Sequence, residues 1–137
     1  MYDVLLAVDA DESRAETQVR AITDLPVDED SVFVRVVHVF TDNPAGNSVH
    51  KLGSAKLVEE RLTERGLEYQ LEERSGDPAK EIPRHAAEHD VDLICLAGRK
   101  RSPAGKALFG SVTQSVILSV DRPVLVCGDG TDGENDA

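Results

Sequence analysis

At 137 residues, with 15 Lys+Arg against 26 Asp+Glu, a net charge of -11, no tryptophan and 4% aromatic residues, the chain has the length of one domain. Its core must be built from Val, Leu, Ile and Ala. The acidic excess argues against non-specific nucleic-acid binding and, with lysine scarce, predicts a salt-adapted surface whose self-repulsion is screened at high ionic strength. No apolar run approaches the ~20 residues of a membrane span, and Met1-Tyr2-Asp3 offers no basic leader, so a cytoplasmic protein without membrane contact is expected.

Residues 4–8 are a continuous apolar run, the pattern of a strand buried on both faces. The run ends at Asp9. Beyond it Ser13 and Glu16 stand at capping-box spacing, and Ala15, Val19, Ile22 and Leu25 recur at the helical period until Pro26 stops them. Residues 31–40, rich in β-branched side chains, form the second strand and close with His38, Val39 and Phe40. A loop over 41–47 carries Pro44 and Gly46, and the helix predicted over 48–65 shows Val49, Leu52, Ala55, Val58 and Leu62 on one face.

Leu67, Tyr69 and Leu71 alternate with polar residues, so this third strand is half-exposed and belongs at a sheet edge. Asp77 then has the position of an N-cap and Pro78 that of the first helical residue. Ile82 and Ala86 face the sheet, and Pro83 should bend the helix. His85 and His89 lie four apart, a spacing able to bind metal; with no third ligand evident in the sequence, they read as surface histidines and no metal site is assigned.

The most informative stretch is 92–113. Its apolar run ends in Gly98, a loop with Arg99, Lys100, Arg101 and Lys106 follows, and Gly110-Ser111 opens a helix carrying Val112, Val116 and Ile117. Four cations in one loop stand out in so acidic a chain. Free N–H groups and a hydroxyl at a helix N-terminus favour an anion, which makes this a candidate phosphate site; the alternative is that the cations only neutralise the surrounding acidic surface. Asp121-Arg122-Pro123 closes the helix and residues 124–127 form the last strand. Residues 1–128 thus make one domain, and the acidic, glycine-bearing segment 129–137 is expected to be a disordered tail. Cys95 and Cys127 each fall in an apolar strand and read as buried reduced thiols.

Strands and helices alternate throughout, which predicts an α/β fold: a single doubly wound five-stranded parallel sheet, order 3-2-1-4-5, with helices on both faces. The ligand crevice then lies between strands one and four, where Asp9 and Gly98 both end.

The pattern Gly98-x-x-Arg101, Gly110-Ser111-Val112, a helix and then Asp121 to Val126 resembles the carboxyl-terminal signature of universal stress proteins of the UspA type. The nucleotide-binding branch of that family carries G-x2-G-x9-G-[S/T]; here Arg101 replaces the second glycine and the following gap is one residue shorter. The resemblance implies binding of ATP or another adenine nucleotide, with Mg²⁺ where a triphosphate is bound, in a stress-response or regulatory role. It places Asp9 and Val39 on adenosine, Gly98, Gly110, Ser111 and Val112 on the phosphates, and Arg99 or Arg101 as added charge beside them. From the residues alone Asp9 is equally a cap for the turn into the first helix. The resemblance also implies a homodimer through residues 124–127. An interaction module that has lost nucleotide binding is the other reading, since Arg101 alters the glycine loop.

Other motifs fail. The run from Gly98 to Lys106 lacks Walker A spacing, and Ala107 stands where a Mg²⁺-binding hydroxyl is needed. A phosphate-receiver domain would need a lysine ending strand five, where Cys127-Gly128 stands, and no dinucleotide glycine motif follows strand one. No nucleophile–base pair is evident, so at most slow ATP hydrolysis is expected.

Overall fold

The structure, a computed structural model, describes residues 1–41, 46–98 and 110–128. Five parallel strands, β1 (Tyr2–Ala7), β2 (Val32–Phe40), β3 (Glu68–Ser75), β4 (Leu93–Ala97) and β5 (Val124–Cys127), form one sheet in the order β3-β2-β1-β4-β5. The predicted doubly wound order is therefore the observed one.

Side-chain alternation along the strands feeds two apolar layers. Val4 and Leu6 of β1 point to one face and pack with α1 (Glu12–Thr23) and α2 (Gly53–Glu64) through Ala15, Val19, Ile22, Val58 and Leu62. Leu5 points to the other face, where α3 (Pro78–His89) and α4 (Ser111–Ser119) contribute Ile82, Ala86 and Val116. Each fully buried aliphatic side chain contributes about 1.5–3 kcal/mol. The chain winds leftward from β1 to β3 and rightward from β1 through β4 to β5, and the split opens a crevice at the carboxyl ends of β1 and β4.

Edge strand β3 has no fully buried residue, as its alternation predicts. Asp77 caps α3 by accepting the Ala79 N–H at 3.0 Å, with Pro78 in the first turn; the helix runs on through Pro83 to His89 and closes at Asp90 in the left-handed region, φ 49°.

Other boundaries differ from expectation. The cap of α1 is Asp11, not Ser13. Its carboxylate accepts the Arg14 N–H at 2.9 Å and the Ser13 hydroxyl at 2.7 Å, while Glu16 pairs with Arg20 and Arg61 instead of reaching back. A carboxylate at Ncap is a strong acceptor, so the helix starts ahead of the predicted box. It ends at Thr23, short of Pro26. Helix α2 begins at Gly53 and not at residue 48, because Ser48 caps a separate 3-10 turn, Val49–Lys51. Gly53 lies against Glu12, whose carboxylate oxygen would stand 2.5 Å from an added Cβ. On α4, Val116 is buried whereas Ile117 is 39% exposed.

Candidate functional site

The crevice at the switch point has a volume of about 180 Å³ and is lined, among the described residues, by Val8 and Asp9 after β1, Val37 and Val39 of β2, Pro78 and Ile82 of α3, Leu96 and Ala97 of β4, and Val112 and Thr113 of α4. Its floor is apolar and its rim polar.

The rim opposite Asp9 is the start of α4. Gly110 is extended, φ -63° and ψ 163°, with no side-chain cap, and its carbonyl accepts the Gln114 N–H at 3.0 Å. The N–H groups of Ser111, Val112 and Thr113 precede that first helical bond and have no partner within the helix. Ser111 is exposed and Val112 half-buried, so the turn presents donors and a hydroxyl to an incoming anion. The Thr113 hydroxyl instead donates to the Ala97 carbonyl at 3.1 Å.

Gly98 follows β4 and is buried; its N–H donates to the Cys127 carbonyl at 2.5 Å. The same two strands bring the Cys95 and Cys127 sulfurs to 3.6 Å, both thiols free and buried. The hydrogen bond to Cys127, reinforced by burial, pushes the Cys95 thiol well above its ordinary range. Cys127 is lowered because the hydrogen bond shared with Cys95 outweighs its own burial.

On the β2 side of the crevice, β2 outlasts β1. Pairing with β1 stops at Ala7↔Val37, whereas pairing with β3 runs to Phe40↔Ser75. The Val37 carbonyl accepts from Val8 and the Phe40 carbonyl from Gly76, which fixes the directions of the two residues between, His38 and Val39. Val39 turns its N–H and carbonyl toward the β1 side, past the end of that strand. Backbone groups facing a crevice in this way can read a flat heterocycle edge-on.

Asp9 lies at the mouth, its side chain 49% exposed. One carboxylate oxygen accepts the Asp11 N–H at 2.9 Å and the other accepts from the Arg14 guanidinium at 2.9 Å. It therefore caps the turn while bordering the crevice. His38 also borders the crevice, and its Nδ1–H donates to the Val8 carbonyl at 2.8 Å. That bond ties the end of β1 to β2. Of the residues read from the sequence, Asp9, Val39 and Val112 line the crevice, Gly98 directly follows β4 and Gly110-Ser111 start the helix that carries Val112, and Arg99 and Arg101 lie outside the described residues. Pro78, Ile82 and the anchoring role of Thr113 were not anticipated; they follow only from the placement of α3 and α4 over the sheet.

Residues 1–128 match the model of the universal stress protein family. The chain belongs to that family. A universal stress protein of Mycolicibacterium smegmatis is 32% identical over 74 residues, 53% of this chain and 57% of that protein, so the match spans little more than half of the relative's length. The universal stress protein of Archaeoglobus fulgidus is 27% identical with a TM-score of 0.76, covering 93% of this chain and 98% of that one. A universal stress protein of A. fulgidus solved in complex with dAMP shares the fold at 23% identity and a TM-score of 0.66, over 93% of this chain and 98% of that one. No helix among the described residues is long and apolar enough to cross a membrane.

Proposed function

We propose that the crevice binds an adenine nucleotide, ATP or another, and that the bound state serves a cytoplasmic stress-response or regulatory role. The observation that carries this reading is the convergence, around one apolar crevice, of the first turn of α4, whose N–H groups have no partner within the helix, with the overhanging Val39 backbone. The base would lie against Val39 beside Asp9, and the phosphates against Gly98, Gly110, Ser111 and Val112, with Arg99 and Arg101 adding charge and Mg²⁺ accompanying a triphosphate. Relatives of the same fold solved with adenine nucleotides make this ligand class the natural one to test. Binding rather than turnover is the role, with slow ATP hydrolysis as its upper limit.

The protein would act as a homodimer paired through β5. That strand ends the sheet, its apolar Val124, Leu125 and Val126 half-buried in the monomer, and an uncovered strand edge invites pairing. The test of ligand binding is calorimetric titration of the purified protein with ATP·Mg²⁺, ADP and AMP at low and molar salt. Saturable binding that salt weakens is the expected result; no heat from any of the three at millimolar nucleotide would overturn it.

A second reading, an interaction module without nucleotide, is favoured by the engagement of both Asp9 carboxylate oxygens by Arg14 and Asp11. Arg101→Gly separates the two. Lost affinity marks Arg101 as a phosphate contact, and gained affinity marks it as an obstruction.

A further inference from the structure

Away from the crevice, α3 packs two histidines against edge strand β3. His85 and His89 lie one helical turn apart with ring centroids 4.5 Å from each other. Glu72 of β3 brings Oε1 to 2.6 Å from His85 Nε2. One ligand atom from each of the three lies within 4.8 Å of the other two. The geometry points to a site for a divalent transition-metal ion held by Glu72, His85 and His89.

Burial and charge favour this arrangement. The Glu72 and His85 side chains are 10% and 6% exposed, so both are held in place by packing. Arg35 takes the other Glu72 oxygen at 2.9 Å, which leaves Oε1 directed at the histidines. Glu88, in the same turn of α3, is committed to Arg74 at 2.9 Å and supplies negative charge nearby without acting as a ligand. Two imidazoles at i and i+4 with one carboxylate suit Zn²⁺, Ni²⁺ or Cu²⁺ and suit Mg²⁺ or Ca²⁺ poorly, with the remaining positions filled by water.

The ring proton decides how an ion enters. Arg74 only donates, and its guanidinium lies 3.0 Å from His85 Nδ1, so Nδ1 accepts and the neutral ring carries its proton on Nε2, facing Glu72. On binding, Nε2 gives its lone pair to the ion and the proton moves to Nδ1. Arg74 then releases the ring and keeps Glu81, at 2.8 Å, and Glu88. His89, half-buried, swings in to complete the three. An ion so held would fasten α3 to the sheet edge and stabilise the folded chain by mass action.

The test is titration of the untagged full chain with ZnCl₂, NiCl₂ and CaCl₂, read by calorimetry and by thermal melting. One equivalent of Zn²⁺ or Ni²⁺ with a raised Tm, and no response to Ca²⁺, is expected. His89→Ala should weaken the transition metals at least about tenfold, as loss of one of three ligands must, while leaving the metal-free Tm near that of the parent. Glu72→Gln, which keeps one acceptor oxygen but turns its amide NH2 toward a second donor, His85 or Arg35, should weaken the metals likewise and also lower the metal-free Tm. No saturable uptake by the parent protein means that the cluster is a hydrogen-bonded network only, and uptake unchanged in both variants places the ion elsewhere, for example on the thiols. Either result overturns the site.

Discussion

The hydroxyl of Thr113 donates to the carbonyl of Ala97 across 3.1 Å, fastening the first turn of α4 to the end of β4. Thr113 is only 6% exposed, so Thr113→Val keeps the shape and removes the donor from a part-buried carbonyl. Such a loss costs about 1–3 kcal/mol. Denaturant unfolding should show a lower midpoint with an unchanged slope, and an unchanged midpoint would mean that water replaces the hydroxyl.

Helix α1 depends on Asp11. Asp11→Ala should cost about 1 kcal/mol, the usual worth of a side-chain N-cap, and Ser13→Ala clearly less. The bond from the Ser13 hydroxyl, followed by that from the Arg14 N–H, holds the Asp11 carboxyl below its ordinary range. A depressed folded-state pKa gives stability that is present above the ordinary carboxylate range and lost as pH falls through the depressed value. The parent and Asp11→Ala should therefore converge in acid-unfolding curves. Equal losses in Asp11→Ala and Ser13→Ala would restore the capping box.

Ser111→Glu places a carboxylate where the proposed phosphates would lie. The helix dipole tolerates an acid in the first turn, so the fold should persist while nucleotide affinity falls by more than about tenfold, or roughly 1.4 kcal/mol. Unaltered affinity for ATP in calorimetry would remove the start of α4 from the binding site.

The two thiols should differ in reactivity. Cys127 is the lowered member of the pair and is 7% exposed, whereas Cys95 is raised and fully buried. Alkylation of the native protein, mapped by mass spectrometry over rising pH, should label Cys127 first, since the thiolate is the nucleophile. Labelling of Cys95 ahead of Cys127 would contradict the assignment.

For assembly, Val126→Glu adds a charge to the free strand β5 and should convert a dimer into a monomer in light scattering, with the fold retained. A variant that stays dimeric would move the interface elsewhere.

Much of the fold is legible in the sequence because its signals are local. The alternation of Leu67, Tyr69 and Leu71 identifies an edge strand, the unbroken runs at 4–8 and 93–97 identify central ones, and that contrast fixes the strand order. Asp77-Pro78 marks a helix start for the same reason: the cap and its helix are neighbours in the chain. Where two local signals compete, reading falters, as at Asp11 and Ser13, both able to cap one helix. It fails where the decisive partner comes from another element. His85 and His89 read as surface side chains because Glu72, which meets His85 at 2.6 Å, belongs to a strand on the far side of a turn. The anchoring of Thr113 and the approach of Ile82 to the crevice are likewise products of helix placement.

The overhang of β2 beyond β1 gives the crevice a feature that side-chain substitution reaches only indirectly. Replacing Val39 with isoleucine or leucine reshapes the floor but leaves its N–H and carbonyl in place; only proline, or a slip in strand register, removes the donor. Contacts made by the main chain are thus buffered against mutation, whereas the side chains that line the crevice, such as Asp9 and Val112, are not. Divergence in what such a protein binds should therefore spare this main-chain edge, which is inherited as part of the topology.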